Sequence, residues 1–286
     1  MTARLLLVRC FPAFFLLGIL VVPSQGVTAD SPDLALVKRT LAAELRLAQD
    51  TQHPMRYRLH KSNPHLSSTK DIFETRDGAI ARLIEINGHP LSQIDERKEQ
   101  ARLQGLLNDP GLQKHRKQAE DQDTARAMKV LRALPVAFLY KFAGTGESSA
   151  GPVQKFDFWP NSAFNPPDME TQVLTAMTGQ IWIDASQERI VRLEGHLQHD
   201  VDFGWGILGR LNKGGWIVIE QAEVGAHQWR IVRFQMEMSG RVLLKNKTFD
   251  TEEEESQFEP LPVGMGYVQA IQMLRDDSGA AGQGSR

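Results

Sequence analysis

From Gly179 to about Leu261 the chain is apolar and polar residues in alternation, broken only by short polar turns: GQIWIDASQERIVRLEGHLQ, WIVIEQAEVGAHQWRIVRFQMEMSG, RVLLKNKTFDTEEEESQFEPL. Successive side chains of an extended strand point to opposite faces, so this period of two specifies strands that are buried on one side. Turns this short cannot hold a crossover helix, which makes sequential strands antiparallel. The segment therefore demands a large antiparallel sheet, and the rest of the chain must supply what covers it.

The first part supplies helices. SPDLALVKRTLAAELRLAQD opens with Ser31 as a helix cap, Pro32 in the first turn and Asp33 at the positive end. Leu34, Val37, Leu41, Leu45 and Ala48 recur at helical spacing. After His53-Pro54 the period changes, and Met55, Tyr57 and Leu59 begin a strand meander that turns at Asp77-Gly78. Residues 92–134 interrupt the meander with two helices separated at Asp109-Pro110-Gly111, Ser92 and Asp95 forming a capping-box pattern. Between Gln113 and Ala127 the only apolar side chains are alanines, so most of that helix must be solvated or dock on something polar. Strands resume at Val136, with Phe138, Tyr140 and Phe142 in one phase. Helices gathered at the start and in one insertion specify an α+β chain with helices packed on one side of the sheet.

The N-terminus reads as a secretory signal peptide over residues 1–29: Arg4 and Arg9, an apolar run broken by Pro12 and Pro23, then small residues. The run from Phe11 to Val22 is short of the ~20 apolar residues a bilayer span needs. Export is the expectation, to the periplasm, with secretion or an uncleaved anchor as alternatives. The one cysteine, Cys10, falls within the leader, so the mature chain has neither disulfides nor thiol chemistry. The net charge is −2. Removing Arg4 and Arg9 leaves about −4 with the signs interspersed, which favours neither nucleic acid nor an anionic membrane. The expected organisation is a single domain over residues 30–274 and a disordered tail over 275–286, where DDSGAAGQGSR is low in complexity.

Gly204, Gly206 and Gly209 match the G-x-G-x-x-G letters of dinucleotide-binding folds, but that fingerprint needs a helix after the third glycine. Here Arg-Leu-Asn-Lys, Gly214-Gly215 and the strand WIVIEQ follow, so the glycines are expected to bend a strand and its turn. HLQHDVD places His196, Asp200 and Asp202 on one strand face and His199 on the other, which makes no compact metal set. There is no G-x-S-x-G elbow, and the sequence marks no carboxylate as lying in an apolar pocket. TEEEESQF reads as an acidic edge strand or loop. No catalytic constellation, metal or cofactor is expected.

The remaining candidate is the apolar face. Trp182, Phe203, Trp205, Trp216, Trp229, Phe234, Met236 and Met238 come from successive strands, and Met with aromatic residues makes an adaptable apolar surface. In a closed sandwich these residues are core; in an open curved sheet they line a cavity. The hairpin GQIWIDASQERIVRLEGHL resembles one found in LolA-type periplasmic lipoprotein carriers and their outer-membrane lipoprotein-sorting relatives. That resemblance implies a curved antiparallel sheet forming an open, unclosed β-barrel, with an N-terminal helix, helical lids and a concave face that binds lipid acyl chains or a lipidated protein. Trp182, Phe203, Trp205, Trp216, Phe234, Met236 and Met238 are the expected ligand-lining residues of a non-catalytic binding protein. The alternatives are an interaction or stress-sensor protein that docks a membrane partner through its charged helices, and an envelope hydrolase.

Overall fold

The computed structural model describes residues 32–204, 209–242 and 245–283. The leader expected at residues 1–29 and the expected ligand residue Trp205 lie outside them. Helix α1 (Pro32–Leu47) is followed by β1 (Met55–Asn63), β2 (Leu66–Phe73), β3 (Ile80–Ile86) and the two-residue β4 (His89–Pro90). The helical pair α2 (Gln93–Asn108) and α3 (Pro110–Ala137) comes next. Then follow β5 (Phe138–Ser148), β6 (Gly151–Pro160), the short α4 (Met169–Gln172), β7 (Met177–Asp184), β8 (Arg189–Leu197), β9 (Val201–Phe203) and β10 (Gly209–Leu211). The chain closes with β11 (Trp216–Glu223), β12 (Trp229–Val242), β13 (Lys245–Pro260) and α5 (Tyr267–Gln283). None of the described helices is long and apolar enough to cross a membrane.

All pairings are antiparallel, in the order β4-β3-β2-β1-β13-β12-β11-β8-β7-β6-β5, with β10 paired to the far end of β12 and β9 to β10. The two ends of this order, β4 and β5, do not pair with each other, so the curved sheet is an unclosed barrel as expected. Directly opposed residues share a face, and one row of them crosses ten strands. It reads Phe142, Phe156, Ile181, Leu193, Ile219, Phe234, Glu253, Lys61, Ser68, Ile86. This is the inner face. The adjacent row, one residue out of phase, reads Lys155, Trp182, Arg192, Glu220, Arg233, Glu254, His60, Thr69, Glu85, a ladder of mostly charged groups on the outer face.

The larger core lies on the inner face over β5 to β8, where Leu36, Val37 and Leu41 of α1 and Ala133, Leu134 and Ala137 of α3 meet Phe156, Phe158, Ile181 and Ile183. Gly179 and Gly195 oppose each other there, and a Cβ on Gly179 would lie 1.8 Å from the Glu194 carbonyl oxygen and 2.8 Å from the Phe158 ring. The buried stripe of α1 also carries two polar residues that helical periodicity of apolar groups did not reveal, Thr40 and Glu44. The Glu44 carboxylate accepts from Arg189 Nε at 2.9 Å, Arg189 Nη2 at 3.2 Å, the Ile190 amide at 3.1 Å and Gln221 Nε2 at 3.2 Å, which ties the helix to β8 and β11.

Two expectations need correction. Helices cover both faces, because α2 and α5 form a second core on the outer face, with Leu103, Leu106, Ile271 and Leu274 against Phe73 and Ile80. Ala270, Ile271 and Leu274 anchor the first turns of α5 there. Finally, the acidic strand β13 is central rather than an edge, lying between β12 and β1. Its charges are matched on both faces, Glu253 by Lys61 at 2.5 Å and Glu252 by Arg233 at 2.5 Å.

The true edge at β3 is covered by the helical pair. Glu99, buried on α2, accepts from the Leu83 amide at 2.9 Å, and Glu120 of α3 accepts from the Ala79 amide at 2.9 Å. Gln113 donates to the Asp77 carbonyl at 2.7 Å. Side chains thus satisfy backbone groups that would otherwise offer a template for another strand.

Candidate functional site

The inner face changes character midway. From β5 to β12 its row is aromatic and aliphatic; beyond Phe234 it continues as Glu253 and Lys61. Helix α1, the C-terminal part of α3 and the turn Val173–Ala176 cover the first half. Over β11 to β13 and β1 the residues Ile219, Phe234, Met236, Tyr57 and Leu59 are only half-buried.

Helix α3 crosses this opening. It follows β4 through α2 and leads directly into β5, so the pair joins the two unpaired ends of the sheet. Its 28 residues span about 42 Å at 1.5 Å per residue. The N-terminal end is fixed to the β2–β3 turn through Gln113 and Glu120, and the C-terminal end is sunk in the larger core. Between them every residue from 118 to 127 is exposed. A helix lying on a surface hides a stripe at every third or fourth position; this stretch hides none, so it bridges open space as a strap. The sequence expectation of a solvated second helix holds, and the structure adds what that solvated stretch spans.

Below the strap's N-terminal half, Tyr57, Glu74, Glu253 and Glu255 lie close enough to perturb one another. Burial pushes the Glu255 carboxyl up to about 7, assisted by the neighbouring Glu253 and Glu74 charges and opposed by Arg230. Burial, with the same carboxylates and Glu120, also raises the Tyr57 phenol, whose ring stacks on Phe258 at 5.5 Å. Glu74 is raised by burial, against the Met55 amide that donates to it at 2.8 Å. The inner face is therefore amphipathic along its length, apolar toward β12 and acidic toward β1.

The expected ligand residues divide between the two faces. Phe234 and Met236 stand on the inner face beside the uncovered region, while Met238 and Phe203 belong to the larger core and its margin. Trp182 and Trp216 point the other way. Trp182 opposes Lys155 and Arg192, with Lys155 Nζ 3.8 Å from its ring centroid, and Trp216 opposes His196 and Glu237, donating to Glu237 at 3.2 Å. Alternation along each strand already separates them from the inner face, Trp182 from Ile181 and Ile183 and Trp216 from Ile217 and Ile219; grouping by residue type alone put them with Phe234. Tyr57, Leu59 and Glu255 were missed as site residues; the alternation of Met55, Tyr57 and Leu59 was visible, but not that β1 lies beside β13.

Two motifs weighed in the sequence resolve structurally. Gly204 and Gly209 flank the β9–β10 connection, and strand, not helix, follows Gly209, so no helix N-terminus awaits a phosphate. Gly204 holds φ 55°, a left-handed conformation suited to glycine. Asp202 is engaged by Arg210 at 2.6 and 2.7 Å and Asp200 at 3.2 Å, which holds the Asp202 carboxyl below the usual carboxylate range.

No family model and no curated protein matches this chain. Two solved structures are similar to it. One is a domain from Vibrio parahaemolyticus named for outer membrane lipoprotein sorting, 11% identical, covering 80% of this chain and 95% of that one at a TM-score of 0.29. The other is a DUF1329 family protein from Desulfovibrio piger, 10% identical with the same coverages and a TM-score of 0.28. Likeness at this level bears on neither ligand nor partner, so a functional proposal has to rest on the residues of the inner face.

Proposed function

We propose that this chain is a non-catalytic carrier of the cell envelope that holds the hydrocarbon part of a lipid, or of a lipidated protein, on the inner face beneath α3. The observation that carries the proposal is the half-buried apolar stretch at Ile219, Phe234 and Met236, spanned by a helix that is exposed at every residue from 118 to 127. About ten methylenes buried there at ~0.8 kcal/mol each contribute ~8 kcal/mol, against association costs of ~4 kcal/mol or more. The remainder, about 4 kcal/mol or less, corresponds to millimolar binding or weaker, suited to loading and release.

The test is mass spectrometry of organic extracts from the purified protein, together with displacement of an apolar fluorescent probe by phospholipid. Co-purifying lipid and displacement are expected. Recovery of no lipid, with no displacement, overturns the proposal. The exposed middle of α3 also favours a second reading, in which this helix docks a membrane-protein partner. Charge reversal at Asp121, Asp123 and Arg126 then abolishes partner capture while leaving probe binding intact.

A further inference from the structure

On the outer face, between β1–β3 and helices α2 and α5, lies a cleft of about 1160 Å³. It shares no helix with the carrier site, and of that site's residues Tyr57 also lines it. Its floor is a row of opposed residues, Arg58, Asp71 and Arg82 on β1, β2 and β3. Arg58 Nε donates to Asp71 at 3.0 Å, and Arg82 Nη2 donates to Glu96 of α2 at 2.9 Å. Gln100 also donates to Glu96, at 3.0 Å, so that carboxylate is well occupied.

The guanidinium groups are not. Each carries five N–H donors. The Arg82 side chain is 10% exposed, yet among the described residues its Nε and Nη1 meet no acceptor, and they are not sealed from solvent, because the residue lines the cleft. Among the described residues the terminal nitrogens of Arg58, two strands away on the same face, likewise meet no acceptor. A buried cation is stable only when acceptors complete its shell. Two guanidinium forks with open donors in one cleft match the oxygen geometry of a carboxylate or phosphate. Phe73 and Ile84 beside them offer apolar surface for the body of such a molecule.

We propose that this cleft is an oxyanion-binding site, in which Arg82 and Arg58 together receive the phosphate or carboxylate group of a small molecule or of a lipid head group. The flanking Asp71 and Glu96 hold the forks in place, and the four arginines and four carboxylates that line the cleft leave it near electroneutrality. An anion gains there from directed hydrogen bonds more than from net charge.

The experiment is calorimetric titration of the full chain with glycerol 3-phosphate and with citrate in a phosphate-free buffer at fixed ionic strength. Flotation with phosphatidylcholine vesicles, with and without phosphatidylglycerol, accompanies it. Saturable binding of a soluble anion is expected, weakened about tenfold in Arg58→Gln and in Arg82→Lys, since lysine keeps the charge but loses the fork. Both variants are first checked for wild-type thermal unfolding, and Lys141→Gln, an exposed charge removed from β5 at the other end of the strand order, serves as a control that leaves the anion affinity unchanged. Flotation only with phosphatidylglycerol, reversed by citrate, assigns the oxyanion to a head group. The proposal is overturned by the absence of both saturable anion binding and anion-dependent flotation, by equal affinity in Arg58→Gln and wild type, or by equal binding of uncharged maltose.

Discussion

Replacing Glu44 by alanine tests how α1 is held to the sheet. The carboxylate accepts four hydrogen bonds, two from Arg189, one from the Ile190 amide and one from Gln221. Both ends of the ion pair are buried, at 7% and 6% exposure for Glu44 and Arg189. Without the carboxylate, Arg189 keeps only Gln221 Oε1 at 3.1 Å and the Trp229 ring at 5.3 Å. Stranding one partner of a buried pair costs about 3–5 kcal/mol. For a domain of this size about 2–4 °C of Tm accompanies each kcal/mol, so Glu44→Ala should lower Tm by about 6–20 °C. Urea unfolding followed by circular dichroism gives the free energy directly. The double variant Glu44→Leu, Arg189→Met separates loss of the pair from loss of packing, because an apolar replacement of similar volume restores most of the stability. A loss below about 1 kcal/mol in Glu44→Ala, or a double variant no more stable than the single, refutes the reasoning.

Other consequences are open to measurement. Glu255 has a folded pKa of about 7, above its unfolded value of about 4.3. Its contribution to stability is thus full below pH 4 and is lost as pH rises through 7; Glu255→Gln should raise the urea midpoint more at pH 8 than at pH 5, and an equal change at both counts against this assignment. Gly179→Ala forces a methyl group to within 1.8 Å of the Glu194 carbonyl and should destabilise by about 3 kcal/mol or more; a wild-type melting curve would mean that β7 and β8 do not approach as described. The Thr40 hydroxyl is buried without a partner among the described residues, so Thr40→Val should gain about 1 kcal/mol in chemical unfolding, and a loss would reveal a hidden acceptor. Phe234→Ala should weaken apolar-probe binding while Trp216→Ala leaves it unchanged; the reverse order would put the ligand on the outer face.

The period-two alternation made the sheet legible, and Ser31-Pro32 and Asp109-Pro110 marked helix starts, because these signals are local. The parts that stayed hidden depend on pairing. Nothing near TEEEESQF indicates that Lys61 will neutralise Glu253 from a strand far away in sequence, so an inner, paired strand looked like an acidic edge. Trp182 and Phe234 both look like members of one apolar set until the strand register, which puts Phe234 in the row of Ile181, sends them to opposite faces. Thr40 and Glu44 break the apolar stripe of α1, and only the presence of Arg189 on β8 explains why burying Glu44 is tolerable. The cleft at Arg58 and Arg82 was invisible for the same reason, since α2 and α5 reach it from distant parts of the chain.

The seam between β1 and β13 joins residues such as Arg56 and Glu259, which are 203 positions apart. A chain that appears N-terminus first, from a ribosome or a translocation pore, makes β1, β2 and β3 early and must keep the bonding edge of β1 unsatisfied until nearly the last strand emerges. Contacts of such long sequence separation form slowly and leave apolar surface open while they wait. Helix α5 arrives later still, although it helps bury Phe73 and Ile80 on strands made at the start. Loss of the C-terminal strand and helix should therefore remove far more than a terminus: it would leave the first three strands with an open edge and an uncovered outer core, in a form held soluble only by a chaperone.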